Sequence, residues 1–299
     1  MKRSEWWRVG LLITCLCAVL CILKRDPAQS LGEGGKPQKG MFEWTETAIE
    51  EPDNAAALAQ KLDITLWYQE LSTDQDPKQI SRFVRKMGEK GVKVYALVGS
   101  REWGFEENGT SLREYLRWMD QYNKQVGKGE KLTGIMVDVE PYIDKKWKKE
   151  PEKYMEIYVS GMKNAYRYAK KKHIEFLACI PNHYDSQGLE EGLKELVSEA
   201  CDGIAVMDYN CGDEAVRIKT EAELARKYKK KLHCILEFQR VGKHGLIEEE
   251  TYYNKGLKAA DNAWEEVEKD NSGYEVVRDY HWTEPLREIL EREETEEGR

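Results

Sequence analysis

From about residue 40 onward, short runs that are apolar at nearly every position alternate with longer stretches whose apolar residues recur every three to four positions. The short runs have the length and composition of strands buried on both faces, and the longer ones have the period of amphipathic helices. Predicted strands cover 40–45, 63–70, 92–99, 132–142, 174–180, 203–209, 232–238 and 274–280. Predicted helices cover 54–61, 77–90, 111–126, 151–172, 189–199, 220–230, 249–268 and 284–292. Pro77 and Pro151 open their helices where a missing N–H costs nothing, Gly91 ends the second helix, and Pro141 stops the fourth strand. Regular strand–helix alternation predicts a parallel sheet with crossover helices, and eight units favour its closure into a (β/α)8 barrel of the α/β class. No glycine-rich phosphate loop follows the first strand, so a dinucleotide-binding fold has no support.

The N-terminus breaks the pattern. Lys2, Arg3 and Arg8 precede a weakly polar and apolar run over 9–23, which Lys24 and Arg25 close. This reads as a signal peptide or membrane anchor over residues 1–25. The run is shorter than the roughly 20 residues a spanning helix prefers, although Trp6 and Trp7 suit an interface. Ala28-Gln29-Ser30 offers a cleavage site, and Leu20 before Cys21 fits a lipoprotein signal poorly. Residues 26–40 have linker composition, leaving 41–299 for the barrel, close to the roughly 250 residues typical of that fold. The expectation is a secreted or cell-surface monomer that meets a membrane only through its N-terminal segment.

The net charge of -8 is dispersed, without a basic stripe, which argues against nucleic acid as a partner. Charged residues make up 34% and mean hydropathy is -0.73, as suits a soluble barrel with charged outer helices. The 9 Trp and 16 Tyr outweigh 5 Phe, and aromatics with polar tips suit half-wet clefts where sugar rings stack. The 7 cysteines lack zinc-site spacing. They read as free thiols, with a Cys201–Cys211 disulfide left open. No metal or cofactor is implied.

In such barrels the active site sits at the C-terminal strand ends. Those ends carry Glu43, Trp44, Tyr68, Glu70, Arg101, Asp138, Glu140, Asn182, His183, Asp208, Tyr209, Asn210, Glu237, His281 and Trp282. Arg101 and Glu70 form a candidate ion pair, and the two histidines read as mouth residues with satisfied hydrogen bonds. Asp138 and Glu140 are two apart, so on a strand they share a face. Carboxylates among amides and aromatics are what glycoside cleavage uses: a proton donor, an anion for the developing positive charge, and platforms for the sugar. The plain alternative is a buried strand with an acidic exit.

The segment Thr133-Gly134-Ile135-Met136-Val137-Asp138-Val139-Glu140 resembles the strand-four signature of family 18 glycoside hydrolases, Asp-Gly-x-Asp-x-Asp-x-Glu. Gly134, Asp138 and Glu140 match, while Thr133 and Met136 replace the first two acids. Met207-Asp208-Tyr209-Asn210, followed by Gly212, resembles the family's strand-six motif, and Trp282 falls where the family keeps a floor tryptophan. The resemblance implies a glycan substrate containing N-acetylhexosamine. It implies Glu140 as general acid, Asp138 orienting the acetamido group that attacks the anomeric carbon, Tyr209 bonding that acetamide, and Trp282 beneath the sugar. Asn210, Glu237, Tyr68, Asn182 and Trp44 are the further candidates for substrate contact. Glu140-Pro141 is also similar to the Asn-Glu-Pro of the large retaining (β/α)8 clan, in which Glu237 would be the nucleophile. A third possibility is a surface barrel that binds carbohydrate without turnover.

Overall fold

The computed structural model describes residues 37–297. The predicted signal or anchor segment, most of the linker, and Cys15, Cys17 and Cys21 lie outside the described residues. Eight parallel strands follow one another in sequence order: β1 Lys39–Glu43, β2 Leu66–Glu70, β3 Lys93–Val98, β4 Gly134–Val137, β5 Glu175–Pro181, β6 Gly203–Met207, β7 Lys231–Glu237 and β8 Val276–His281. β8 pairs with β1 and closes the barrel. The helices that follow each strand are α1 Pro52–Lys61, α2 Pro77–Glu89, α3 Thr110–Gln125, α4 Pro151–Lys172, α5 Glu190–Glu199, α6 Lys219–Tyr228, α7 Leu257–Asp270 and α8 Thr283–Glu297.

The continuous apolar character of the strands follows from burial on both faces. Phe42, Tyr68, Leu97, Met136, Leu177, Cys179, Met207 and Ile235 fill the barrel. Their neighbours Met41, Trp67, Ala96, Val137, Ala178 and Val206 belong to the layer that meets the helices. One polar cluster interrupts the interior. The Tyr68 hydroxyl donates to Asp279 Oδ1 at 3.2 Å, and His233 Nδ1 lies 2.9 Å from Asp279 Oδ2, all three residues being fully buried. Gly40 makes room for this cluster, since a Cβ there would lie 2.1 Å from Asp279 Oδ1.

Several boundaries differ from the sequence reading. β4 ends at Val137, so Asp138 and Glu140 sit on the exit of the strand and not within it. The ladder runs one residue further, with Asp138 N–H donating to Val98 O at 2.7 Å. The predicted helix over 249–268 begins only at Leu257, after Gly256 at φ 79°. Its first part is a loop that returns to β7, where Tyr252 N–H donates to Glu237 O at 2.8 Å. Arg101 pairs with Glu102 at 2.8 Å and Asp144 at 3.5 Å, and not with Glu70. Cys201 and Cys211 are free thiols, so the disulfide left open above does not form. Among the described residues no helix is long and apolar enough to cross a membrane.

Candidate active site

The alternation that points Met136 into the barrel carries on past the end of β4 to Asp138 and then Glu140. Asp138 is half-buried, and its Oδ1 is sealed from solvent without a hydrogen-bond partner. Burial raises the hold of this carboxyl on its proton, the adjacent Glu140 charge adds to the effect, and His281 opposes it. Main chain and side chain depend on the neighbouring strand as well. Gly99 has no Cβ where the Asp138 backbone crosses, and one placed there would lie 1.6 Å from the Asp138 carbonyl oxygen.

Glu140 is half-buried, and Tyr142 donates its hydroxyl proton to Oε1. Burial, followed by the Glu140 charge, pushes ionisation of Tyr142 far above its ordinary range, so the phenol remains a neutral donor. Its ring meets His183 edge-on at 5.1 Å between centroids. Beyond it a groove of about 560 Å³ opens between residues 142–151 and the turn after β5, lined by Tyr142, Ile143, Trp147, Lys148, Pro151, His183 and Gln187.

Tyr209 follows β6. Its ring lies 5.8 Å from that of His281, and its hydroxyl takes no hydrogen bond among the described residues. Burial, with the charges of Glu237, Asp138 and Glu140, raises its ionisation well above the ordinary value. The phenol is therefore a neutral donor facing three acids.

Glu237 is only 2% exposed and is fully engaged. Its Oε1 accepts from the backbone N–H of Phe238 at 2.8 Å and of Gln239 at 2.7 Å. Its Oε2 accepts from the Gln239 side-chain amide at 3.0 Å and from His281 Nδ1 at 2.9 Å. Burial alone would raise its proton affinity, but His281 and these donors outweigh it and hold the carboxyl below its usual range. For His281, burial disfavours the cation and the Glu237 charge outweighs that, raising its proton affinity. The other imidazole nitrogen, Nε2, accepts from the Trp44 indole N–H at 3.0 Å.

The remaining candidates are spread out. Trp282, half-buried, stacks 6.5 Å from His281 across a cis peptide. Asn182 donates to Asp208 Oδ1 at 3.0 Å. Asp208 is almost wholly buried, and burial, then Glu214, raises its proton affinity. Asn210 is half-buried beside Tyr209 and makes no side-chain hydrogen bond among the described residues. Tyr68 lies fully buried within the barrel, bonded to Asp279, below the mouth. The structure thus brings Asp138, Glu140, Tyr209, Glu237, Trp44 and Trp282 to the mouth. Two partners were not anticipated. Tyr142 is the donor to Glu140, and its spacing of two from Glu140 was the available signal. His281 joins Glu237 to Trp44, and the register that sets Glu237 opposite His281 appears only on closure. Among the described residues no group of three or more His, Cys, Asp or Glu is placed to hold a metal ion.

The fold is the (β/α)8 barrel found among glycoside hydrolases. The chain is similar to an intracellular xylanase from Thermoanaerobacterium saccharolyticum, with a TM-score of 0.54 and 10% identity over 87% of this chain and 89% of that one. An endo-alpha-mannosidase of family GH99 from Bacteroides thetaiotaomicron has a TM-score of 0.52 and 11% identity, covering 81% of this chain and 69% of that one. A chitinase from the same organism has a TM-score of 0.50 and 13% identity, covering 89% and 98%. At these identities the likeness is one of fold. No family model matches the sequence, and a search of curated proteins finds no match.

Proposed function

We propose that this chain is a glycoside hydrolase that cleaves N-acetylhexosamine-containing glycans with retention, using the substrate's own acetamide as nucleophile and Glu140 as general acid. The observation that carries the reading is the state of Asp138: an inward carboxyl two residues before Glu140, favouring its protonated form, with one buried oxygen unpartnered. Buried polar atoms without partners are rare and costly, and an incoming amide N–H satisfies this one. As the acetamide oxygen bonds to the anomeric carbon, Glu140 passes its proton to the leaving oxygen and the glycosidic bond breaks. Positive charge then spreads over the cyclised acetamide, whose N–H donates to the unpartnered Asp138 oxygen, so that the carboxyl dipole supports the charge while Asp138 keeps its proton. Water next attacks the anomeric carbon, gives a proton back to Glu140, and the acetamide reopens. Tyr209, a neutral donor with a free hydroxyl, hydrogen-bonds the acetamide oxygen. Trp282 and Trp44 supply faces for the sugar, and we assign the departing sugar to the groove beyond Tyr142, the residue that donates to Glu140.

Met136 has a direct consequence in this scheme. Where the family signature has a second acid below Asp138, this chain has a fully buried methionine, so Asp138 keeps its own proton and shares none. Glu237 is a poor nucleophile by comparison, because both oxygens are occupied by four donors. We place the enzyme outside the cytoplasm on the pattern of residues 1–25. The reading is tested with a panel of aryl glycosides and glycans and a thiazoline inhibitor that mimics the cyclised acetamide. It expects hydrolysis of N-acetylated substrates only, and inhibition by the thiazoline. Turnover of substrates lacking the acetamide, without such inhibition, would move the assignment to direct displacement. Binding without turnover would make the barrel a carbohydrate-binding module.

A further inference from the structure

We propose that Glu237 and His281 are positioning residues that hold Trp44 in the mouth through a directional chain of hydrogen bonds, intact only while the imidazole is neutral. The chain begins at backbone. The N–H groups of Phe238 and Gln239 and the Gln239 amide fix the Glu237 carboxylate, which leaves it one direction in which to accept from His281 Nδ1, at 2.9 Å. A proton on Nδ1 leaves the Nε2 lone pair bare, and the Trp44 indole N–H points at it from 3.0 Å. An indole nitrogen only donates. The contact therefore requires Nε2 to be unprotonated, and the Glu237 bond is what selects that tautomer.

The imidazole has little room to escape. Tyr209 lies tilted against it at 5.8 Å, Trp282 stacks at 6.5 Å, and Phe42 meets it edge-on at 5.9 Å. The titratable acids that face it are Glu237 from β7 and Asp138 and Glu140 from the exit of β4. The groups from β1 and β6, Trp44, Phe42 and Tyr209, carry no charge. Protonation places an N–H on Nε2 opposite the indole N–H. Two donors then face each other, the bond is lost, and Trp44 is released. The three acids move this event to higher pH than for an ordinary imidazole, with Glu237 contributing most. A released Trp44 no longer presents a fixed face to a sugar ring. That consequence rests on the glycosidase reading, whereas the hydrogen-bond chain does not.

The test is a titration of the full chain, labelled with ¹⁵N at tryptophan, from about pH 5 to about pH 9, the span in which imidazoles change charge. Trp44→Phe assigns the indole N–H resonance. The expected result is a downfield, hydrogen-bonded resonance at high pH that moves upfield on acidification together with the His281 ring signals. Glu237→Gln retains an acceptor but removes the charge, and should lower that midpoint by about 1–3 pH units, the range for an opposite charge at hydrogen-bond distance. His281→Gln offers an amide oxygen to the indole and should abolish the transition without releasing Trp44. A Trp44 resonance that stays fixed while His281 titrates, in the wild type alone, overturns the proposal even if a variant fails to fold. A midpoint unchanged in folded Glu237→Gln also overturns it. Neither result requires a sugar, so failure here is distinct from failure of the glycosidase reading.

Discussion

Two carboxyls at the mouth sit in opposite surroundings: Glu237 receives four hydrogen bonds, and Asp138 has a buried oxygen that receives none. The difference shows in stability as well as chemistry. In the unfolded chain an aspartate titrates near ~3.9. In the folded protein the proton affinity of Asp138 is raised, so its favourable contribution is complete below the unfolded value and is lost as pH rises through the folded one. Asp138→Asn therefore raises the melting temperature at about pH 8 and has little effect near pH 4, while activity on N-acetylated substrates collapses. A melting temperature lowered equally at both pH values would show that the group is not held protonated. Met136→Leu conserves volume and should cost less than about 1.5 kcal/mol in chemical denaturation. Met136→Asp buries a second carboxyl and should cost more, with the larger loss at alkaline pH. At this scale the acidic pair was legible from spacing alone, because a period of two places residues i and i+2 on one side. The partners were less legible: which atom meets Asp138, Glu140 or Glu237 depends on rings and strand ends brought together from Trp44, Tyr142 and His281.

Among the elements, the β3–β4 junction and the loop before α7 do most to shape the mouth. Gly99 permits the Asp138 backbone to cross β3, and Gly99→Ala places a Cβ inside that carbonyl. The strands must separate, at a cost near or above the ~1–3 kcal/mol typical of overpacking. Urea unfolding measures it, and a wild-type midpoint would contradict the contact. The loop over 249–256 carries Thr251, whose buried hydroxyl donates to Gln239 O at 2.6 Å and holds the exit of β7, next to Glu237. Thr251→Ala leaves that carbonyl short of a partner and should cost about 1–3 kcal/mol. The strand–helix order was readable because each strand is buried on two faces and each helix on one. The start of α7 was misread because the glutamates at 248–250 favour a helix locally, while Thr251 and Tyr252 bond back to β7 and Gly256 sets the start. The acids themselves were expected within β4, yet they lie past Val137, where the ladder has nearly ended.

Over the whole molecule, burial leaves several carboxyls protonated to unusually high pH. Glu221 is fully buried, neither of its oxygens has a partner, and its proton affinity is pushed up to about 7 by burial. Asp208 and Asp279 shift the same way, again chiefly through burial. Each contributes stability below its unfolded value, near ~3.9 for aspartate and ~4.3 for glutamate, that is lost as pH rises through the folded one. Glu237 runs the other way: its depressed folded value contributes stability above the unfolded one, lost as pH falls through the folded one. Together the carboxyls with raised proton affinity predict a melting temperature that falls in calorimetry as pH rises from about 4, the unfolded carboxylate range, to about 7, where Glu221 ionises in the folded protein. A steady rise over that span would contradict it. The barrel as a whole was legible in the eightfold alternation, whereas its polar interior of Tyr68, His233 and Asp279 was not, since these residues lie on three different strands. The central claim concerns Glu140, and one comparison tests it most directly: turnover of an N-acetylhexosamine oligosaccharide by wild type and by Glu140→Gln. Loss of a general acid predicts a fall in kcat of roughly 10²–10⁴-fold with folding intact; equal rates would contradict the assignment.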